Sequence, residues 1–443
     1  KSKIYEILYK NQTTWPIIRN AVYHEILRER KWLQQPSSPE AKRHFVNIRI
    51  FKLIQNIFNL IRNFYRKKDI VLFNYERTVN IDGKNQNILI WTVKSSLENY
   101  KILVIDTCGI EQKSQEIVDI SYIIKLSRFV SRFYKNKQWK IYAQKIQKLV
   151  QRYFDVKINM DYIYTNSYIH QLAIKNVAKI FFILNKPKFA IFSQEGSYSY
   201  LINELYNKNI ISIDFQHGMQ SGSIPIFKHN TNLSLKYKNY LPEFTFTFGD
   251  YWNKYYIDHS KVVAVGNPFY ENMMEKMHKV SQNNNAILIV SDGLLSQEVL
   301  KNTALYLSKT IKNIEIYYKL RPEEHKNAKI DYKDLYKIKN IKLIDNEKIA
   351  LYDYIKKSNY VIGINSTVLI ESIQFSNVVV LKSGWYFEMN DLIESGYIQL
   401  AEDSRDLANI IKNKKISSKK INIDYLFKSD ALKNINSKIN DLL

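Results

Sequence analysis

Between residues 286 and 381 the sequence alternates short apolar runs with segments of helical periodicity, and that alternation restricts the fold more than any other feature. The apolar runs lie at 286–290, 314–320, 341–344, 360–364 and 378–381, with helical spacing near 296–312, 349–357 and 368–375. Strands separated by helices of this length form βαβ units and a parallel sheet. A looser version of the pattern runs earlier, with strands expected at 70–73, 88–93, 102–106, 189–193, 210–215, 244–248 and 262–265. Helices are expected over 115–154, 168–184 and 198–207. The architecture this supports is α/β, two Rossmann-like doubly wound halves facing one another across a cleft. We place a helical N-terminal extension at 1–40, a first half at 41–280, a second at 281–413 and a helical tail at 414–443. In the extension, Pro16 is expected to interrupt a helix over 1–35, and Pro36-Ser37-Ser38-Pro39 breaks the chain.

At 443 residues two domains are expected, and 45% hydrophobic residues supply real cores. The single cysteine, Cys108, excludes an internal disulfide framework or a cysteine-based metal cluster and fits a reducing cytoplasm. No run of about 18 apolar residues is present, so neither a spanning helix nor a leader is expected. The net charge of +24 attracts polyanions, although heavy use of Lys, Ile, Asn and Tyr reflects an AT-rich coding bias that raises it. Zinc spacings, RNP-like motifs and helix-turn-helix patterns are missing, so nucleic acid is not an expected partner.

One basic segment stands out. Over 45–68, Ile50, Phe51, Ile54, Ile57, Phe58, Ile61 and Phe64 form a helical stripe, rimmed by Arg49, Lys52, Arg62, Arg66, Lys67 and Lys68. The favoured reading packs the stripe on its own domain's core; the alternative lays it on an anionic membrane surface. The basic 115–154 stretch, with Arg128, Arg132, Lys135, Lys137 and Lys140, reads as a solvated helical face.

Candidate chemistry gathers at strand ends, where open parallel sheets bind ligands. After the 360–364 run, Ser366 is a natural N-cap, and the helix start at Ser366-Thr367 suits a phosphate. Glu371, one turn beyond Thr367, is placed to bind ribose hydroxyls; a solvated glutamate on a capped helix is the plainer reading. Lys319 and Arg321 arrive at another strand end as a cation pair for phosphate, and Asp292-Gly293 follow the first strand of the second half. In the first half, Gln216-His217-Gly218 closes a strand. A histidine there can remove a proton from an acceptor hydroxyl near neutral pH, and Gly218 admits a substrate close to the backbone. Glu195, at the preceding strand end, is the competing base. Gly266-Asn267-Pro268 closes a further strand and places Asn267 beside the acceptor.

The order Gln216-His217-Gly218, Gly266-Asn267-Pro268, Lys319-Leu320-Arg321-Pro322-Glu323-Glu324 and Ser366-Thr367-Val368-Leu369-Ile370-Glu371 resembles bacterial GT-B glycosyltransferases of capsule and lipopolysaccharide assembly. Most similar are transferases of CMP-activated sialic, pseudaminic or Kdo-type sugars; CDP-glycerol glycerophosphotransferases share the layout. The resemblance spans roughly residues 70–413. Ser366 and Thr367 match the Ser/Thr pair of the sialyltransferase-like families. Arg321-Pro322 stands where those families carry His-Pro, and Gln194-Glu195-Gly196 only partly matches their acidic motif. His217 matches the His-Gly of the capsule and teichoic-acid enzymes. The resemblance implies a metal-independent glycosyltransferase with no cofactor, whose donor is a nucleotide sugar and whose acceptor is a glycan or lipid-linked glycan. It implies a cytoplasmic protein, peripheral at the inner face of the plasma membrane. His217 is preferred as base over Glu195. A UDP-sugar enzyme or epimerase of the same fold is a further alternative, and a basic nucleic-acid or membrane-binding protein is the non-enzymatic one.

Overall fold

The computed structural model describes the chain apart from residues 1–6, 10–11, 31–49, 65–66, 75–77, 82–83, 110–115, 132, 134–136, 222–234, 257–260, 278–284, 294–296, 346–350 and 417–418. Arg49, Arg66, Arg132, Lys135, the Pro36–Pro39 break and most of the expected 282–285 linker therefore lie outside the described residues. The chain divides into two compact units, residues 1–217 with 225–266 and 430–443, and residues 218–224 with 267–429.

The first unit is built on seven strands: β1 Ile70–Asn74, β2 Ile102–Asp106, β3 Ile117–Asp119, β4 Phe189–Ser193, β5 Ile211–Phe215, β6 Phe244–Thr247 and β7 Lys261–Ala264. Their order is β7-β6-β5-β4-β1-β2-β3, with every pair parallel. β1, β2 and β4 are buried along their whole length, as strands covered on both faces must be. Side chains alternate across the sheet. Val71 and Phe73 join Phe181, Leu201 and Leu205 on one face, while Ile70 and Leu72 join Leu89, Val93, Ile435 and Ile439 on the other.

Several expectations are corrected here. The 88–93 run is a helix, Ile88–Ser96, because Asn87 accepts a hydrogen bond from the Ile90 N–H as its N-cap. A fully apolar run carries no period to separate the two states. Pro16 starts a helix, Trp15–Glu29, rather than interrupting one, since its missing N–H costs nothing in the first turn. That helix is no separate extension. Its Ile17, Ile18, Val22 and Ile26 pack with Trp139, Tyr142, Tyr168 and Tyr200 in a core of their own. The 115–154 stretch begins with β3 and continues as two helices, Ser121–Ser131 and Lys137–Phe154. Its second helix buries Trp139, Tyr142, Ile146 and Val150, so only part of it is a solvated face. The closing helix Ala431–Asn440 belongs to the first unit, where Asn436 donates to the Ser96 carbonyl at 2.8 Å. The first unit leaves off at Gly266 rather than near 280.

In the helix Ile50–Phe64, the side chains of Ile50, Phe51, Lys52 and Phe64 lie outside the described residues, but the rest of the expected apolar stripe departs from the favoured reading. Ile54, Ile57, Phe58 and Ile61 are exposed, whereas Asn56, Leu60 and Asn63 are buried.

The second unit carries six parallel strands: β8 Ala286–Val290, β9 Glu315–Lys319, β10 Ile341–Ile344, β11 Tyr360–Gly363, β12 Asn377–Leu381 and β13 Gln399–Ala401. Their order is β10-β9-β8-β11-β12-β13. Ile287, Ile289, Ile316, Tyr318, Ile362 and Val379 meet Leu300, Leu307 and Leu407 in one core. Both sheets thus share a plan, in which the first strand lies beside the fourth and the direction of winding reverses between them. Such a reversal opens a crevice at the strands' carboxyl ends, where ligands bind in folds of this class. It falls between β8 and β11 in the second unit and between β1 and β4 in the first.

Candidate functional site

In the second unit, β9, β8 and β11 lie side by side and end in Lys319-Leu320-Arg321, Ser291-Asp292-Gly293 and Asn365-Ser366-Thr367. These expected residues therefore share one sheet edge. Gly363 admits close packing there: a Cβ on it would come within 3.1 Å of the Leu369 side chain and 3.4 Å of the Val290 carbonyl. Ser366 caps the helix Thr367–Glu371 by accepting from the Val368 N–H at 3.3 Å. That helix is only five residues long, so its dipole is weak. The Thr367 hydroxyl accepts from the Met219 N–H at 3.3 Å. Gly218 lies against the same hydroxyl, where an added Cβ would sit 3.5 Å from Oγ1. Gln220, in the same segment, is buried, and its side-chain amide finds no partner among the described residues.

Glu324 organises the β8 and β9 ends. Its buried carboxylate accepts from the Ser291 hydroxyl at 2.9 Å, from the Arg321 N–H at 2.7 Å and from the Tyr332 hydroxyl. Ser291 in turn accepts from the Gly293 N–H at 3.1 Å, with Gly293 at φ 85°, a conformation that favours glycine. Arg321 is thereby held by its backbone while its side chain is exposed. The Lys319 ammonium donates to the Leu320 carbonyl at 2.6 Å, and Asp292 is buried.

Glu371 is not the solvated residue of the plainer reading. It is buried and accepts from the Tyr352 hydroxyl at 2.8 Å. Burial, and then the Glu371 charge, push the Tyr270 phenol well above its ordinary range. Asn267 is a helix cap: it accepts from the Tyr270 N–H at 3.2 Å at the start of Pro268–Met277. Glu388 carries no local signal in the sequence; it accepts from the Asn365 amide at 2.5 Å, and burial pushes its carboxyl up to about 7. A cavity of about 270 Å³ lies among Tyr270, Met274, Lys356, Gln374 and Phe427.

In the first unit, β4 and β5 end in Gln194-Glu195 and Gln216-His217. Gln216 joins β5 to β6, accepting from the Phe248 N–H at 2.9 Å while its own N–H donates to the Phe246 carbonyl. His217 is half-buried, with its Nε2 3.0 Å from the Gln194 side-chain nitrogen. Glu195 is 2% exposed and pairs with buried Arg19 at 3.5 Å. Beside it lies Asp214, which sequence reasoning missed because an acid inside a strand carries no local signal. Asp214 is fully enclosed. Burial first, and then the Glu195 charge, hold its carboxyl well above the usual carboxylate range. Asn74 stands at the reversal between β1 and β4. It is buried, and its side-chain amide finds no partner among the described residues. Among those residues no three His, Cys, Asp or Glu side chains gather as a metal site, and no helix is long and apolar enough to cross a membrane.

No family model matches the chain, and no curated protein matches it. Solved structures do. The chain is similar to the UDP-GlcNAc 2-epimerase of Neisseria meningitidis bound to UDP-GlcNAc, at 13% identity and a TM-score of 0.51, over 84% of this chain and 99% of that one. It is similar over the same shares to the UDP-GlcNAc 2-epimerase of Methanocaldococcus jannaschii, at 11% identity and a TM-score of 0.51. The glycotransferase of kitacinnamycin matches at 8% identity and a TM-score of 0.53, over 85% of this chain and all of that one. The fold is GT-B. At these identities the likeness speaks for the fold alone. Within it, the sheet edge of the second unit collects Lys319, Arg321, Asp292, Gly293, Ser366 and Thr367, while Glu195, Gln216 and His217 stand in the first unit, and Gly218 and Asn267 in the second.

Proposed function

We propose that the chain is a glycosyltransferase that takes a sugar from a nucleotide donor, with the second unit holding the nucleotide and the first acting on the acceptor. One observation carries this reading: the switch point between β8 and β11 is flanked by Lys319 and Arg321 on one side and by the Ser366-Thr367 turn on the other. Two cations and a helix start form a site for the phosphate of a nucleotide. In this reading the leaving phosphate's charge is held by Lys319 and Arg321, and no metal or cofactor is required. His217 takes the acceptor hydroxyl's proton. Glu195, tied to Arg19 and placed next to Asp214, serves the structure instead.

The donor in this reading is a CMP-activated acidic sugar, on the strength of the motif resemblance. A second reading is favoured by the fold neighbours, two of which are UDP-GlcNAc 2-epimerases: a UDP-sugar epimerase that needs no acceptor. Thermal unfolding against a nucleotide panel separates them. The preferred ligand at about 100 times its Kd adds roughly 2.7 kcal/mol, and cytidine nucleotides should give the larger shift. Product analysis then decides the reaction. Consumption of donor only when a glycan acceptor is present supports transfer, and epimerisation of a UDP-sugar without acceptor overturns it.

A further inference from the structure

Among the described side chains of the helix Ile50–Phe64, in the first unit, an apolar row faces solvent while Leu60 and two amides face the protein. Ile54 (60% exposed), Ile57, Phe58 (67%) and Ile61 stand on one face, at the i, i+3, i+4, i+7 spacing that gathers side chains on a single stripe. Asn56, Leu60 and Asn63 stand on the opposite face and are buried. A helix packed only for its own domain would be turned the other way.

The exposed stripe continues onto neighbouring elements. This helix packs against Ser121–Ser131, which exposes Phe129 and Val130 at its end, with Phe133 (72%) just beyond. Ser121–Ser131 packs in turn on Ile169–Leu184, whose last turn exposes Ile180, Ile183 and Leu184. The Lys68 N–H donates to the Asn185 side chain at 3.2 Å, so the ends of the first and third helices adjoin. Arg62, Lys125 and Lys179, one from each of the three helices, are exposed, and none of the helices contains an aspartate or glutamate. Lys67, Lys186 and Lys188 add exposed charge at the shared end.

Charge chooses the occupant. A second copy docking through the same face would bring these cations against one another. Nucleic acid would satisfy the cations but leave the isoleucines and phenylalanines in water. An anionic bilayer answers both, because its headgroups meet the cations and its acyl boundary takes the apolar stripe. We propose that this face docks on an anionic lipid surface, with Ile54, Ile57, Phe58 and Ile61 entering the headgroup–acyl boundary. This rests on the helix's orientation and is independent of the proposed reaction.

The test is flotation of the full chain with phosphatidylcholine vesicles and with vesicles in which about a quarter of the lipid is phosphatidylglycerol. The parent should bind the anionic vesicles about tenfold or more tightly than the neutral ones, and lose that preference as salt is raised. The double variant Ile57→Asp, Phe58→Asp should bind at least about tenfold more weakly, with an unchanged circular-dichroism spectrum. If that variant loses its helical spectrum, Phe58→Ser replaces it and must still weaken binding by about threefold. Equal flotation of parent and variant overturns the proposal. So does lipid-free self-association in sedimentation velocity that the same substitutions abolish.

Discussion

Gln194 holds its side-chain nitrogen 3.0 Å from Nε2 of His217, and does so from a left-handed backbone conformation at φ 67°. A non-glycine residue keeps that conformation only where its surroundings enforce it, and the next residue, Glu195, is anchored by Arg19 and by its N–H bond to Asp214. An amide N–H directed at Nε2 leaves the ring proton on Nδ1. The amide oxygen in the same place would instead call for the ring proton on Nε2. The Gln194 amide is therefore one of the groups that set the His217 tautomer.

Replacing Gln194 with glutamate puts a carboxylate beside the imidazole and favours its charged form. The titration of His217, followed by its imidazole resonances, should move upward by roughly one pH unit, while Gln194→Ala should not raise it. Coincident titrations in the two variants would remove Gln194 from any role in setting the His217 proton.

His217 and Glu195 should separate by what each substitution damages. Removing a general base costs about 10²–10⁴-fold in rate, so His217→Ala should lose turnover on that scale and keep its melting temperature. Glu195→Ala removes the carboxylate paired with buried Arg19 and should cost about 3–5 kcal/mol of stability. Asp214→Asn, a neutral replacement for a carboxyl already held well above its usual range, should be close to neutral. A stable, inactive Glu195→Ala beside an active His217→Ala would exchange the two roles.

The Glu388 carboxyl gives stability a pH dependence. Burial raises it from 4.5 to about 7, so its neutral form is the one the fold favours. Its contribution is complete below about pH 4.5 and falls as pH rises through 7, by an amount on the order of 3 kcal/mol. Glu388→Gln should flatten the change in melting temperature between about pH 5 and 8. An equal slope in parent and variant would place the dependence elsewhere.

Much of the fold could be read directly from sequence, because β8, β9, β11 and β12 are apolar runs closed by polar turns. The strands at 117–119 and 399–401 were missed: three residues are too few to show a period. The 88–96 helix was misread because its residues are nearly all apolar, so burial on several sides hides the 3.6-residue repeat. The stripe at 50–64 was visible, but sequence cannot say which way a stripe faces. Leu60 joins the core of the first sheet, with Asn56 and Asn63 buried on the same side. At the site, the residues at strand ends were legible because βαβ order brings them to one edge. Glu324, Glu388, Asp214 and Asn74 were not, since each acquires its setting from partners far away in the chain or from burial itself.

Glu371 separates structure from ligand contact. Its carboxylate accepts from buried Tyr352, so Glu371→Ala should cost about 1–3 kcal/mol by removing that acceptor. Glu371→Gln, which keeps an acceptor, should cost less in thermal unfolding. If the carboxylate also reaches ribose, the glutamine variant will distinguish cytidine from deoxycytidine nucleotides less well than the parent. Undiminished discrimination would assign Glu371 to Tyr352 alone.

Whether the β8–β11 switch point holds a nucleotide phosphate is tested most directly by calorimetric titration of CMP and UDP into the parent and into Arg321→Ala. The Arg321 side chain is exposed at that edge, so its removal should leave the fold intact. The parent should bind a nucleotide saturably, CMP more tightly than UDP, and Arg321→Ala should weaken that binding by about 1.5–3 kcal/mol, the scale of a hydrogen bond to a charged group. A folded Arg321→Ala protein with unchanged nucleotide affinity, or a parent that binds neither nucleotide, would contradict the assignment.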